Sequence, residues 1–65
     1  MQIGIQVRKY RKMKKWTLAE LGERAGLRDT TLCEIESGRH NPSIKSLSRI
    51  ADALGVDVEY LVRKD

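Results

Sequence analysis

Phenylalanine is absent from this 65-residue chain, and tryptophan, proline and cysteine occur once each. Without Phe, and with only two Tyr, the interior has to be assembled from Leu, Ile, Val and Ala, which suits a small aliphatic helical core. A single Pro and five Gly provide no linker and little room for long loops. Cys33 has no second thiol to pair with, which excludes an internal disulfide and makes the reducing cytoplasm the expected compartment. With no CxxC partner and no neighbouring His, its plain reading is a small residue tolerated on a helix, and its sharper one a redox-sensing thiol. No apolar run approaches the roughly 20 residues that cross a bilayer, and no signal-peptide pattern opens the chain. No membrane association is expected. Acidic residues are missing from the whole stretch before Glu20.

What is present is a single expected domain, residues 1–65, with 40% hydrophobic residues and a net charge of +4. A chain of this length buries only about 60% of its unfolded surface, so its core is marginal and gains from oligomerisation. Charge is distributed unevenly. Arg8, Lys9, Arg11, Lys12, Lys14 and Lys15 all precede the first acid, whereas the remainder holds seven basic residues and nine acids. Such an asymmetry suits a polyanion laid across one end of the molecule, although a solvated basic helix would show the same run.

The periodicity predicts five short helices. Ile3, Val7 and Tyr10 recur at helical spacing from Ile3 to Lys14, with basic residues on the other faces. Thr17 and Glu20 form a capping box that starts a second helix, and Trp16 and Leu21 stand at the staple positions around it. Leu18, Leu21 and Ala25 make its inward stripe, and Gly26 ends it. A third helix runs from about Arg28 to Ser37 and stops at Gly38, with Leu32 and Ile35 inward. Arg28, Asp29, Thr30, Cys33 and Glu34 are left for solvent or a partner. Arg28 is a poor N-cap, and a local departure from a helix-start rule often marks a functional position. After the Arg39–Pro42 loop, Ser43 caps a fourth helix whose stripe is Ile44, Leu47, Ile50, Ala51 and Leu54, ending at Gly55. Asp57 caps a short fifth helix.

Two short helices joined by a tight Gly-containing turn, the second with a polar outer face, describe a helix-turn-helix unit that places its second helix in the DNA major groove. That is the arrangement of Thr17–Gly38. Duplex DNA is therefore the expected partner.

The assembled pattern resembles the Cro/cI-type, or XRE-like, helix-turn-helix family with its all-α, five-helix, lambda-repressor-like domain. The resemblance runs from Ile3 to about Val62. It rests on Val7-Arg8 and Tyr10-Arg11, Thr17–Gly22, Ala25-Gly26-Leu27, Ile35-Glu36-x-Gly38, Asn41-Pro42-Ser43, and Ile50-Ala51-x-Ala53-Leu54-Gly55-Val56. It implies a small transcriptional regulator of repressor type that binds a pseudo-palindromic site as a homodimer. Carried over position by position, Arg28, Asp29, Thr30 and Glu34 would face the bases. Thr17 and Leu18 at the start of helix two, and Ser37, Arg39 and His40 with their backbone amides, would contact phosphates. Arg11 and Glu36 would form a partly buried structural ion pair, and Val58 and Tyr60 would lie at the dimer interface, the alternative being that both complete the monomer core.

The chain departs from the family twice. Leu18 replaces a frequent Gln that donates to phosphate, and Asp29 and Glu34 bring negative charge to the reading helix. Those acids favour a second reading, a protein-interaction module of coactivator or antitoxin type. An enzyme is not expected: no nucleophile–base pair, carboxylate pair or phosphate loop is visible. No catalytic residue, metal, cofactor or small-molecule substrate is assigned, and His40 has no companion ligands.

Overall fold

The computed structural model describes residues 3–62. Within them lie α1 (Ile3–Met13), α2 (Leu18–Ala25), α3 (Asp29–Ser37), α4 (Ile44–Leu54) and α5 (Val58–Val62), with no strand. Helix α1 packs on α3 and α5, α2 packs on α3 and α4, and α4 closes against α5. Val7, Leu21, Leu32, Ile35, Ile50, Leu54 and Leu61 meet at the centre, almost wholly removed from water. The core is aliphatic, as the shortage of aromatics dictates, and Tyr10 and Trp16 pack only at its edge.

The helix boundaries follow the capping chemistry. The Thr17 hydroxyl accepts the Glu20 amide, and the Glu20 carboxylate accepts the Thr17 amide, so both halves of the capping box form. Ser43 caps α4 by accepting the amide of Ser46. Gly26, Gly38 and Gly55 end α2, α3 and α4 with φ of 71°, 84° and 73°, a conformation that costs a residue with a Cβ about 1–2 kcal/mol.

Two local expectations need correction, and one buried residue carried no expectation. Helix α1 ends at Met13, not Lys14, because Lys15 takes a left-handed φ of 61° to turn the chain toward α2. Ile44 is not part of the buried stripe: it is 84% exposed. It is the first residue of α4, and its turn lies beyond the edge of the core that covers Leu47, Ile50 and Leu54. Conversely, Gln6 is only 2% exposed. No buried side-chain nitrogen or oxygen among the described residues lacks a hydrogen-bond partner, so the amide is satisfied where it lies.

Gly4 explains how α1 can sit directly on the end of α3. A Cβ there would lie 2.3 Å from the carbonyl oxygen of Ile35 and 2.9 Å from that of Glu36. Both obstacles are main chain and cannot swing aside. Gly4→Ala is therefore expected to destabilise the fold, with overpacking strain near about 3 kcal/mol outweighing the roughly 1 kcal/mol that Ala gains in helix propensity. Thermal melting checks it: the midpoint should fall by about 8–16 °C, taking roughly 4–8 °C per kcal/mol for a domain of this size.

Candidate nucleic-acid interface

Helices α2 and α3 are joined by Gly26, Leu27 and Arg28, the Leu27 amide closing on the Gly22 carbonyl at 2.9 Å. Arg28 holds the N-cap position of α3 in extended conformation, without a side-chain cap bond. Its guanidinium is thus not committed to the helix start. Leu32 and Ile35 anchor α3 to the core, and at 100° per residue the opposite arc carries Thr30, Cys33, Glu34 and Ser37, all exposed. Asp29 and Arg28 are exposed at the leading end. Of the four expected base-facing residues, Thr30 and Glu34 therefore lie on the outer arc of α3, and Arg28 and Asp29 are exposed at its leading end.

The expected phosphate contacts flank this surface. Thr17 is exposed at the start of α2, while Leu18 is half-buried against the core. Ser37, Arg39 and His40 are exposed at the far end of α3. The amides there need correction, however: those of Arg39 and His40 both donate to the Glu34 carbonyl, at 2.9 and 3.3 Å, and the Ser37 hydroxyl donates to the same oxygen at 3.1 Å. Gly38 folds the chain back to satisfy the helix end. Arg39 and His40 can meet a phosphate there with their side chains, but their amides are already engaged.

Arg11 fixes the orientation of the whole unit. Its Nε donates to Glu36 Oε2 at 2.7 Å and its Nη2 to Oε1 at 3.0 Å, a bidentate pair from α1 to α3. Its Nη1 donates to the Trp16 carbonyl at 2.7 Å, just before α2. One guanidinium thus ties three segments together. The hydrogen bond to Glu36 raises the Arg11 pKa, desolvation opposes it, and the attraction of the carboxylate adds to the rise. The two side chains are 12% and 8% exposed, so solvent screening is weak.

Cations surround the unit. Arg8, Lys9 and Lys12 are exposed on α1. Arg24 stacks over the Trp16 ring at 4.4 Å, with Lys14 over the same ring at 5.8 Å. Trp16 was expected to pack; it does pack against the core, and it carries these two cations as well. An open pocket of about 250 Å³ lies between α1, α2 and α3, lined by Arg8, Arg11, Leu18, Cys33, Glu36 and Ser37. No local spacing in the sequence brings Arg8 and Cys33 together with Leu18, because the three residues come from three different helices. Val58 and Tyr60 lie apart, on α5, 37% and 38% exposed.

A helix-turn-helix family model matches residues 7–61. The chain belongs to the helix-turn-helix family. This helix-turn-helix chain is 37% identical over 65 residues to the immunity repressor protein of Bacillus phage phi105, covering 100% of itself and 45% of that protein. It spans about half the length of the curated relatives it matches. It superimposes on the N-terminal DNA-binding domain of SinR from Bacillus subtilis with a TM-score of 0.92 and 37% identity, covering 98% of this chain and 94% of that one. A crystal structure of SinR, the master regulator for biofilm formation, in complex with DNA gives a TM-score of 0.89 and 39% identity, over 94% of this chain and 98% of that one. No helix among the described residues is long and apolar enough to cross a membrane.

Proposed function

We propose that this chain is a sequence-specific duplex-DNA-binding transcriptional regulator of repressor type, working in the cytoplasm as a homodimer. The observation that carries the proposal is the accessible side of α3, tied to α1 by the Arg11–Glu36 pair while Arg11 also holds the Trp16 carbonyl ahead of α2. The likeness to the SinR–DNA complex supports it. In this reading Arg28, Asp29, Thr30 and Glu34 meet base edges. Thr17, Leu18, Ser37, Arg39 and His40 meet the backbone and set the register. Val58 and Tyr60 join two copies about a two-fold axis, presenting the reading helices about 34–36 Å apart to a pseudo-palindromic site. Selection of bound sequences from a random duplex library tests this. A two-fold motif supports the dimeric reading, a single half-site leaves only the monomer, and no enrichment sinks it.

Arg28 is assigned guanine recognition through its bidentate fork, with Asp29 or Glu34 available to orient it or to accept from cytosine N4. Arg28→Ala is expected to reduce the preference for G at one position by about 1–3 kcal/mol. Competition titrations against single-base variants measure it; an equal loss on every sequence reassigns Arg28 to a phosphate. The exposed acids of α3 favour a second reading, docking onto another protein. A gel shift against random duplex DNA over a salt series separates the two.

A further inference from the structure

The pocket between α1, α2 and α3 has a composition that the DNA-binding reading does not by itself require. Of its six lining residues, Arg11 and Glu36 are bound to one another, and the Ser37 hydroxyl is taken by the Glu34 carbonyl. What remains of the lining is the isobutyl group of Leu18, the thiol of Cys33 and the side chain of Arg8, an exposed residue. The result is an apolar recess beside a cation. Its position matters too: it lies between α3 and α1, the helix that carries the exposed cations Arg8, Lys9 and Lys12 available to a sugar–phosphate strand.

Most groups on the major-groove edges of the bases are hydrogen-bonding atoms. Any of these set against the Leu18 side chain would lose water and find at most the weak thiol of Cys33 as a partner. The C5-methyl of thymine is the exception, and it projects from the edge of the base that faces its own strand's phosphate. We infer that Leu18 and Cys33 form a receptor for a thymine methyl, with Arg8 on the adjacent phosphate. The inference rests on the DNA-binding reading and extends it to a named base. It also gives Leu18 a function of its own: an aliphatic side chain at the start of α2 contributes apolar contact in place of a hydrogen bond.

Deoxyuridine tests it, because it deletes that methyl and leaves the base pair intact. Each thymine of a selected site is replaced in turn, and dissociation constants of the full chain are read by fluorescence anisotropy at fixed salt. One thymine per half-site should be sensitive, its loss weakening binding about three- to fivefold, as expected for one buried methyl group. In Leu18→Ser and in Cys33→Ser that sensitivity should vanish. Cys33 is exposed, so its variant keeps the test valid even where Leu18→Ser fails to fold. Tight binding with uracil tolerated at every position overturns the methyl receptor alone, as does undiminished sensitivity in Cys33→Ser. Failure to bind any duplex overturns the DNA-binding reading and this inference together.

Discussion

Arg11→Ala is expected to bring the chain to its unfolding midpoint or past it at 25 °C. The substitution strands the Glu36 carboxylate, 8% exposed, and removes the donor to the Trp16 carbonyl. Breaking a buried pair from one side costs about 3–5 kcal/mol, since the remaining charge stays desolvated without its partner. A core of this size rarely supplies more than about 3–5 kcal/mol in total. The loss and the reserve are of the same magnitude, so the variant sits at or past its midpoint. Circular dichroism at 222 nm during a thermal ramp measures this, and melting within a degree or two of the parent would show that solvent compensates the pair. A second variant separates burial from charge: Arg11→Met with Glu36→Leu removes both ions and should recover most of the lost stability, because exchanging a buried pair for apolar groups is often neutral or better. The pH behaviour follows from the raised Arg11 pKa. A group whose folded pKa is raised contributes fully below its unfolded value and loses that contribution only as pH climbs through the folded one. For a guanidinium both lie far above neutrality, so the Arg11 contribution should be flat across the physiological range.

The local grammar of the chain was readable wherever one residue and its near neighbours decide the outcome. Thr17 with Glu20, Ser43, and the glycines after α2, α3 and α4 act over three or four residues, and the starts of α2 and α4 and the ends of α2, α3 and α4 follow from them. The aliphatic stripe was readable for the same reason at Leu32, Ile35, Leu47, Ile50 and Leu54. What escaped was set by packing between helices. The apolar spacing of α1 could not show that Gly4 and Gln6 face inward, since that depends on where the end of α3 lies. Ile44 has the right angular position for the core and the wrong axial one; periodicity gives the first and is silent on the second. Within the candidate interface, the outward residues of α3 were legible by subtraction from its core stripe. The engagement of the Arg39 and His40 amides was not, because it depends on how Gly38 folds the loop back. The recess of Leu18, Cys33 and Arg8 was illegible because it exists only once three helices meet.

Salt should weaken duplex binding steeply. Each neutralised phosphate releases counterions, and log K falls with log[salt] at about −0.9 per contact. If four to six phosphates are met, the slope is about −3.6 to −5.4, and going from 50 to 200 mM salt costs roughly a hundred- to two-thousandfold in affinity. The chain has the cations for this in Arg8, Lys9 and Lys12 on α1 and Arg39 after α3, against Asp29 and Glu34 on the reading helix. Those two acids lower the gross attraction, so nonspecific affinity should be modest and discrimination should come from α3. The salt slope therefore sorts the side chains independently of any structure of the complex. Arg39→Ala should reduce the slope by about 1 and weaken all sequences alike, whereas loss of a base-reading side chain should leave the slope nearly intact and flatten the preference at one position. Anisotropy titrations at four or five salt concentrations measure both. A flat salt response would remove the phosphate contacts from the proposal and leave the protein-docking reading of α3 standing, because a duplex cannot be held without displacing its ion atmosphere.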